Sequence, residues 1–491
     1  DALPIWMWVV MKGYNRCYDI QQEAASGDIT LLPQKTNLIY QTSLIYCFND
    51  EQSLYYIDKE FNFYAFHIPT QKNEFIANLG KEIQERGKIS SIVHYHNSYF
   101  VGFLMDGILL LEKQKETNHY QIQSLPINSG VFCLKKDRFQ DVVWIGTDGQ
   151  GVYLYSNPLY SIKSMVLSNY TEKIERPVRA IYLDDERTFW VGTKGNGILK
   201  IYDYEFDKNI SDCRAEVLTT SNSALSSNAV YCFAKSHRNL LWIGDEEGLT
   251  YYSYREKRIK SIPIRIGNED FKYIHDIYET ADSELWLASV GMGVVKARIA
   301  GTPDNPVIVD AQRYIINDGE LGSNYFFTIY AENEANLLFG NKGYGVFRYN
   351  ETTNGLEPVS THKYENMTLN NILAISKDSS NNYLFGTSYG LIKYTSETSY
   401  QLFNAKNGFL NNTIHAILRN SSDNFWLSTN LGLINFDTKR NVFRSYGFGD
   451  GLKVVEFSDG AAFRDSRTGT LFFGGINGVV AIRADRSEER R

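Results

Sequence analysis

Short apolar and aromatic runs alternate with glycine-containing turns along most of the chain. "VVWIGTDGQGVYLY" (142–155) and "FWVGTKGNGILKIY" (189–202) show the pattern, in which an apolar run reaches a glycine, a polar turn follows and a second apolar run begins. Runs of this length on either side of a Gly turn are typical of β-hairpins. Helical solenoids would instead need apolar residues spaced by 3.6 positions. The pattern therefore predicts strands.

The hairpin pattern recurs at a nearly constant interval. The glycine of "WIG", or the residue that replaces it, stands at Gly102, Gly146, Gly192, Gly244, Ala288, Gly340, Gly386, Ser428 and Gly474. Two weaker copies place Val10 and Ile57 in this position, which gives eleven units with a mean period of about 46 residues. A period in the forties with hairpin strands in every unit indicates β-propeller blades. The predicted fold is therefore all-β, with about eleven blades of four antiparallel strands.

Each unit divides into four predicted strands, A to D, from the propeller axis outward. In "PVRAIYLDD" (177–185) the apolar Val178 opens strand A, and the residue two positions later is small. The corresponding residues are Cys47, Ser91, Cys133, Ala180, Cys232, Thr328, Ala374, Ala416 and Ala461, with Asp276 as the exception. Three of the five cysteines are thus predicted to be small buried packing residues, too far apart to bridge. Whether Cys17 and Cys213 form a disulfide bond stays an open question.

The repeat units fall into two groups. We expect the last seven units to form a complete seven-bladed propeller over residues 177–491 and the first four to form part of a second propeller over 1–158. Residues 159–176 would connect the two. The chain ends in the highly charged "RADRSEERR", a poor strand, and an open sheet edge invites aggregation. "LYSIKSMVLS" (159–168) is therefore predicted to supply the missing outer strand of the last blade.

Composition narrows the classes of partner. The net charge is −7 and the pI is near 5.7, without a long basic run, which argues against a nucleic-acid or anionic membrane surface. The apolar run "LPIWMWVVM" (3–11) has about half of the ~20 residues that a membrane helix needs. No transmembrane span, cofactor or metal is predicted, and a signal peptide is expected to be either absent or already removed. A small or neutral ligand is the natural expectation.

Three segments carry a family likeness. "PVRAIYLDDERTFWVGTKGNGILKIY" and "DVVWIGTDGQGVYLY" resemble the two-component regulator propeller repeat, and residues 449–482 resemble the last blade of such regions. The resemblance implies the periplasmic sensor region of a Bacteroidetes hybrid two-component system. Such a region would bind polysaccharide-derived oligosaccharides to control glycan-utilisation genes, as a homodimer in the full-length receptor. Since that family has fourteen units before a β-sandwich and a histidine kinase, we expect this chain to be a fragment without enzyme activity.

Candidate ligand contacts lie at one end of the blades. In an antiparallel meander the B–C turns and the D–A connections share an end, and their amides, hydroxyls and rings suit sugar recognition. The residue after the apolar start of strand A also varies from blade to blade. The resulting candidates are Arg179, Tyr231, His275, Asp276, Asn324, Tyr325, Phe327, Asn412 and His415. The alternative is that they only fill space between blades. Arg179 needs a ligand or an anionic partner, which could be Asp184 or a carboxylate of a neighbouring blade.

Other motifs have structural interpretations. The turns "GTDGQG" and "GTKGNG" resemble phosphate loops but precede no helix, so they are predicted to be hairpin turns. His94 and His96 share one strand face without a visible third metal ligand. The doublets Asp184–Asp185 and Glu246–Glu247 are predicted to be solvated loops. The recurrent tryptophans Trp144, Trp190, Trp242, Trp286 and Trp426 are predicted to be blade core.

Three functions compete at this point. The leading one is a ligand-binding sensor with no catalytic residues. The alternative is a propeller-fold polysaccharide hydrolase or lyase, which needs two carboxylates about 5–10 Å apart or a Tyr/His/Arg group near the axis. Arg179, His275 and Asp276 are where such a group would lie. The second alternative is a protein-interaction scaffold, although the dipeptides of WD40 and kelch repeats do not recur.

Overall fold

The chain forms two compact units, residues 1–157 and 158–491. The computed structural model describes residues 5–11, 14–22, 29–34, 44–49, 52–114, 119–137, 142–155, 160–169, 174–316, 324–359, 370–396, 398–450 and 452–484. Almost all regular structure in these residues is strand, arranged as small antiparallel sheets. The predicted all-β propeller fold is confirmed by this architecture.

The first unit contains four sheets of sequential strands. They are β1 (Ile5–Met11), β2 (Tyr14–Gln22) and β3 (Ile29–Gln34); β4 (Leu44–Asn49), β5 (Ser53–Asp58), β6 (Asn62–His67) and β7 (Lys72–Asn78); β8 (Ile89–Tyr95), β9 (Ser98–Phe103), β10 (Ile108–Lys113) and β11 (Tyr120–Ser124); and β12 (Val131–Lys136), β13 (Val143–Thr147) and β14 (Val152–Tyr155). The helix α1 (Gly80–Arg86) links the second sheet to the third.

The described residues of the second unit form seven four-stranded sheets, here called blades 1 to 7. Blades 1 to 3 comprise β16 (Val178–Leu183), β17 (Phe189–Thr193), β18 (Ile198–Ile201) and β19 (Ala215–Leu218); β20 (Val230–Lys235), β21 (Leu240–Asp245), β22 (Leu249–Ser253) and β23 (Arg258–Ser261); and β26 (Ile274–Glu279), β27 (Glu284–Ser289), β28 (Gly293–Thr302) and β29 (Asn305–Tyr314). A two-residue hairpin, β24 (Arg265–Ile266) with β25 (Glu269–Asp270), precedes blade 3.

The remaining blades repeat the same meander. Blades 4 to 7 comprise β30 (Phe326–Asn333), β31 (Asn336–Asn341), β32 (Gly345–Asn350) and β33 (Gly355–Pro358); β34 (Ile372–Lys377), β35 (Tyr383–Thr387), β36 (Gly390–Ser396) and β37 (Ser399–Phe403); β38 (Ala416–Arg419), β39 (Asn424–Thr429), β40 (Gly432–Asp437) and β41 (Val442–Tyr446); and β42 (Phe457–Arg464), β43 (Leu471–Gly475), β44 (Gly478–Ala484) and β15 (Tyr160–Val166). Short 3-10 turns occur at Leu167–Asn169, Ile210–Asp212, Ala405–Asn407 and Phe448–Asp450.

The seven blades close into a ring. The inner strands β16, β20, β26, β30, β34, β38 and β42 are neighbours in that order, and β42 returns to β16. β15 runs antiparallel to β44, from Tyr160 opposite Ala484 to Val166 opposite Gly478. This strand comes from the segment for which the sequence predicts an outer strand. It joins the start of the unit to its last blade and covers an edge that would otherwise be open.

The glycine of each "WIG" strand allows adjacent blades to meet. A Cβ added at Gly192 would lie 2.7 Å from Val230 of blade 2 and 2.9 Å from Ala180 of its own blade. At Gly474 the same atom would lie 2.6 Å from Val178, across the point where the ring closes. The small residues of strand A and these glycines therefore pack together, because neither position has room for another carbon.

Two packing predictions are wrong in the first unit. Trp190, Trp242, Trp286 and Trp426 are buried as predicted, but Trp144 is 37% exposed. Cys232 is buried, whereas Cys133 is exposed and Cys47 half-buried. The reason is visible at Gly146. Among the described residues, a Cβ added there would contact Cys133 of its own sheet and no other residue, while Gly102 and Gly192 are each covered by a valine of the next sheet. Cys213 is a free thiol, and the side chain of Cys17 lies outside the described residues.

Asp184 also differs from its prediction. It is 2% exposed and accepts hydrogen bonds from the amides of Glu186 (3.0 Å) and Thr188 (2.7 Å) and from the Trp190 indole (2.9 Å). The turn after strand A folds its N–H groups around this carboxylate, so Asp184 is a buried cap and not a solvated loop residue. Asp185 is exposed, and so is Glu247, which pairs with Lys272.

Candidate ligand-binding site

The inner strands of unit 158–491 surround a cavity of about 200 Å³. Six of the predicted site residues line it: Arg179, Tyr231, His275, Asp276, Phe327 and His415. Five of them follow the apolar residue that opens strand A in their blade. The repeat therefore delivers one variable side chain per blade to the same axial space. We call this space the axial cavity.

Aromatic rings form one side of the axial cavity. The Tyr231 and His275 rings stack with centroids 4.3 Å apart and an interplanar angle of 19°. The Phe327 ring meets His275 edge-on at 5.6 Å and 87°. The Arg179 guanidinium lies 5.9 Å from the Tyr231 centroid, within cation–π range. A continuous line of planar groups thus runs from blade 1 to blade 4.

Asp459 completes the cluster and is the partner of Arg179. Its Oδ2 lies 3.6 Å from Arg179 Nη1, and its Oδ1 lies 2.5 Å from His415 Nδ1. The other ring nitrogen of His415, Nε2, lies 2.6 Å from Asn430 Oδ1. The carboxylate therefore comes from a neighbouring blade, one of the two sources that the sequence left open, and Asp184 is not involved.

A bulge brings Asp459 to the axis. One residue separates Val178 from Ala180 in blade 1, whereas three separate Phe457 from Ala461 in blade 7, and the pairing of β42 with β43 shifts there. The extra residues project Asp459 toward Arg179. Sequence reasoning missed both Asp459 and Asn430. The longer spacing in "EFSDGAAF" was a usable signal for the first; the second lies in an ordinary B–C turn.

Arg179 and Asp459 carry opposite charges at the axis. Burial acts to raise the pKa of Asp459, but the hydrogen bond from His415 and the nearby Arg179 outweigh it and hold that pKa at about 2. Burial, together with Arg179, lowers the pKa of His275 to about 3. At neutral pH the cluster therefore contains an ionised Asp459 facing Arg179, beside an uncharged His275.

Asp276 is engaged in holding two blades together. Its Oδ1 accepts the N–H of Ile277 at 2.9 Å, and its Oδ2 accepts the N–H of Ile329 in blade 4 at 2.7 Å. Burial raises its pKa to about 6 despite these hydrogen bonds. This carboxyl takes the position that a small residue has in other blades, and it bridges the gap through the backbone of the next strand.

The other three predicted site residues lie in loops and do not line the axial cavity. Asn324 Oδ1 accepts the N–H of Ile316 at 2.7 Å, and its carbonyl accepts the N–H groups of Gly291 and Gly293. Asn412 Oδ1 likewise accepts the N–H of Ala405 at 2.8 Å. Tyr325 forms a β-bridge with Val290. These contacts tie a D–A connection to neighbouring turns.

A histidine group occurs in the first unit. His94, His96 and His67 line a cavity of about 370 Å³. The His94 ring stacks on Tyr99 at 4.7 Å, and His67 Nδ1 lies 2.8 Å from Thr70 Oγ1. In the part of the chain that the structure describes, no three His, Cys, Asp or Glu side chains are placed to hold a metal ion.

None of the described helices is both long enough and apolar enough to cross a membrane.

Comparison with known sequences gives little. No protein-family model matches the chain. One curated protein, translation initiation factor 6 of Saccharolobus solfataricus, is 31% identical over 140 residues, which is 26% of this chain. The chain spans only 57% of the length of that protein. The match is too short to assign a family.

Comparison with solved structures is more informative. The extracellular domain of a hybrid two-component system from B. thetaiotaomicron aligns with 99% of this chain and 67% of its own length, at 21% identity and a TM-score of 0.54. The extracellular domain of a one-component system from the same species aligns with 98% of this chain and 63% of its own, at 16% identity and 0.52. Virginiamycin B lyase of Staphylococcus aureus aligns with 66% of this chain and 99% of its own, at 15% identity and 0.50.

These likenesses concern the fold. The resemblance to two-component propeller repeats, first visible in the "WIG" motifs, is confirmed at that level, since extracellular domains of such systems cover nearly the whole chain. The chain spans about two thirds of the length of those domains.

Proposed function

We propose that this chain is the ligand-sensing region of a hybrid two-component receptor outside the cytoplasmic membrane, and that it binds a neutral oligosaccharide at the axial cavity without converting it. Support comes from the motif resemblance, from the fold shared with extracellular domains of such systems, and from the chemistry of the axial cluster. The control of glycan-utilisation genes and a homodimeric full-length receptor belong to the same proposal.

The observation that carries this proposal is the charge-balanced pair beside an aromatic stack. Arg179 and Asp459 together present donors and acceptors to sugar hydroxyls, while Tyr231 and His275 present flat faces. The Nε of Arg179 is buried and has no hydrogen-bond partner among the described residues. Because Asp459 already neutralises Arg179, an uncharged ligand fits better than an anion. The cavity of about 200 Å³ is smaller than usual ligand pockets, so it suits one end of an oligosaccharide.

Titration calorimetry with neutral oligosaccharides from plant and host polysaccharides tests the proposal. We expect saturable heat with the ligand recovered intact by chromatography, and at least about tenfold weaker binding in Arg179→Met. Arg187→Met is the matched control, because Arg187 pairs with Glu205 at an exposed site away from the cavity. Thermal unfolding would show that both variants fold.

Two results would contradict the proposal. Shortened products in the recovered ligand would favour the hydrolase or lyase alternative. Equal affinities of the Arg179→Met and Arg187→Met variants would remove the axial cavity from the binding site.

A further inference from the structure

A cleft of about 710 Å³ lies between blades 1 and 2, away from the axis. Trp190, Tyr252 and Lys200 contribute to its floor, and Tyr202 and Arg214 stand on the blade 1 side. Trp190 and Tyr252 are buried and Tyr202 is half-buried, so aromatic surface faces this space. We call it the lateral cleft. Its volume falls in the usual range for ligand sites.

Lys200 is a buried cation in an aromatic cage. It is 4% exposed, and its Nζ lies 4.5 Å from the ring centroids of Trp190 and Tyr252 and 4.9 Å from that of Tyr202. Its hydrogen-bond partner is the Tyr252 hydroxyl at 3.4 Å. Burial lowers the pKa of this lysine. Among the described residues, Lys200 has no carboxylate within the 4.0 Å of an ion pair.

Equivalent lysines in other blades have such a carboxylate. In the strand pairing Lys200 is opposite Trp190, just as Lys296 is opposite Trp286 in blade 3. Lys296 also lies over the Trp286 ring, but its Nζ is 2.9 Å from Glu284. Thr188 stands two residues before Trp190, where Glu284 stands before Trp286. Blade 1 therefore keeps the cage and lacks the counterion.

The same holds in comparison with blade 5. There Lys393 is opposite Leu384 and lies 3.7 Å from Asp378, the capping carboxylate of its turn. The corresponding carboxylate in blade 1 is Asp184, which, like Asp378, accepts hydrogen bonds from three N–H donors. It does not come within ion-pair distance of Lys200.

Arg214 adds a second cation at the mouth of the cleft. It is exposed, and its guanidinium carbon lies 4.0 Å from the centroid of Tyr202, the ring that Lys200 also faces. No ion pair of Arg214 occurs within the described part of the chain. Glu216, two residues after Arg214, accepts a hydrogen bond from the Tyr202 hydroxyl at 2.7 Å. Lys200 and Arg214, both beside the Tyr202 ring, are thus available to bind the anionic group of a ligand.

We propose that the lateral cleft binds the anionic group of an acidic sugar, a uronate carboxylate or a sulfate ester, between Lys200 and Arg214, with the sugar ring over the Tyr202 and Tyr252 faces. A charge-assisted contact to a desolvated ammonium is strong, and planar rings pack on apolar sugar faces. The choice of a sugar as carrier of the anion rests on the proposed function. The expectation of an anion rests on the contacts of Lys200 and Arg214, in a cleft that Asp184, Glu186 and Glu216 also line.

Calorimetric titration with D-glucuronate, glucose 6-sulfate and glucose tests this site. We expect saturable binding of at least one of the two anions and about tenfold weaker binding of glucose. Lys200→Met should weaken anion binding at least about tenfold, and Arg214→Gln by a smaller factor. Lys296→Met is the matched control, because it removes a caged lysine that has its own carboxylate. It should leave anion binding unchanged.

The outcomes show which anion binds and, separately, whether the lateral cleft is a binding site. Preference for glucuronate identifies the uronate and preference for glucose 6-sulfate identifies the sulfate; either supports the site. Equal affinity for glucose, unchanged binding in both the Lys200→Met and Arg214→Gln variants, or no binding of either anion would overturn it. Since Arg214 is exposed, its variant remains informative if Lys200→Met fails to fold. Neutral-oligosaccharide binding at the axial cavity should persist in Lys200→Met, so the two proposals fail independently.

Discussion

The axial cavity and the lateral cleft both contain a cation against aromatic rings. They differ in whether a carboxylate of the protein forms an ion pair with that cation. At the axis, Asp459 faces Arg179 at 3.6 Å and the charges cancel within the protein. In the lateral cleft, Lys200 has rings around it and no carboxylate among the described residues within ion-pair distance. Desolvating a charge without a counterion is costly. The first arrangement therefore favours a neutral ligand, and the second favours an anion.

This contrast shows how one repeat generates two kinds of surface. Blade packing is set by residues that recur, such as Gly192 with Ala180, and it leaves other positions free to vary. A change of one residue, Thr188 in place of an acid, is enough to remove a counterion without disturbing the cage. Four predictions follow from the contrast, in order of decreasing effect.

Protonation of His275 in the axial cavity should destabilise the fold at acid pH. Burial and Arg179 lower the pKa of His275 from 6.5 to about 3, so its stabilising contribution is present above pH 6.5 and is lost as the pH falls toward 3. This group alone should reduce the free energy of unfolding by about 3 kcal/mol between pH 7.5 and pH 4. In urea unfolding, the free energy of the wild type should fall by this amount relative to that of His275→Phe, which keeps a ring in the stack. Asp276, whose raised pKa of about 6 acts in the opposite direction, contributes equally to both proteins.

Lys200→Met is the control for the acid series. Its acid profile should match that of the wild type, because Lys200 lines the lateral cleft and not the axial cavity that contains His275. Equal acid sensitivity of the wild type and His275→Phe would mean that the imidazole is not held neutral at the axis.

Removing the axial carboxylate should destabilise the fold. Asp459→Asn leaves Arg179 without its partner and weakens the contact with His415, at an expected cost of about 2 kcal/mol in the free energy of unfolding. Thermal unfolding by calorimetry measures this. Asp207→Asn is the comparison, since Asp207 pairs with Arg483 at an exposed site and should cost less than about 0.5 kcal/mol. Similar losses in the two variants would refute the structural role of Asp459.

Salt concentration should change the ligand affinities of the two sites by different amounts. An acidic sugar in the lateral cleft meets the exposed Arg214 as well as the buried Lys200, so its affinity should fall about tenfold between ~0.05 M and ~0.5 M NaCl. A neutral oligosaccharide at the charge-balanced axial pair should lose less than about a factor of two. Titrations of both ligands across this range check the difference. Parallel salt curves would show that the charge balance does not distinguish the sites.

A second anion site should appear when Lys296 loses its counterion. Glu284→Gln removes the carboxylate at 2.9 Å and leaves Lys296 over the Trp286 ring, as Lys200 lies over Trp190. Because this pair is partly exposed, the stability change should stay below about 0.5 kcal/mol. In a Lys200→Met background, saturation-transfer NMR should detect weak glucuronate binding only when Glu284→Gln is added. Its absence would show that an unpaired lysine in a cage is insufficient.

Much of the fold follows from periodicity. The pairing of Ala180 with Gly192, and of Cys232 with Gly244, is the contact that the small-residue pattern predicts. Exposure of Trp144 and Cys133 could not be read from their own repeat, because burial depends on the sheet that covers the inner strand. The sequence shows which residue stands at a position of a strand, but the adjacent sheet determines whether that residue is buried.

The sites were harder to predict than the fold. Arg179, Tyr231, His275, Phe327 and His415 were found because one position of strand A varies while its neighbours repeat. Asp459 was missed because a bulge changes the count along β42, and Lys200 because an absent acid leaves no motif. Asn324 and Asn412 were selected for their chemistry, and their side-chain oxygens accept backbone N–H groups of their own connections.

A competition titration tests the central claim that a neutral and an anionic ligand occupy separate sites. Glucuronate is titrated calorimetrically into the protein alone and into the protein saturated with the neutral oligosaccharide that binds best. If the axial cavity and the lateral cleft are independent, the two affinities for glucuronate agree within about a factor of two. Loss of glucuronate binding in the saturated protein would place both ligands in one site and contradict the account.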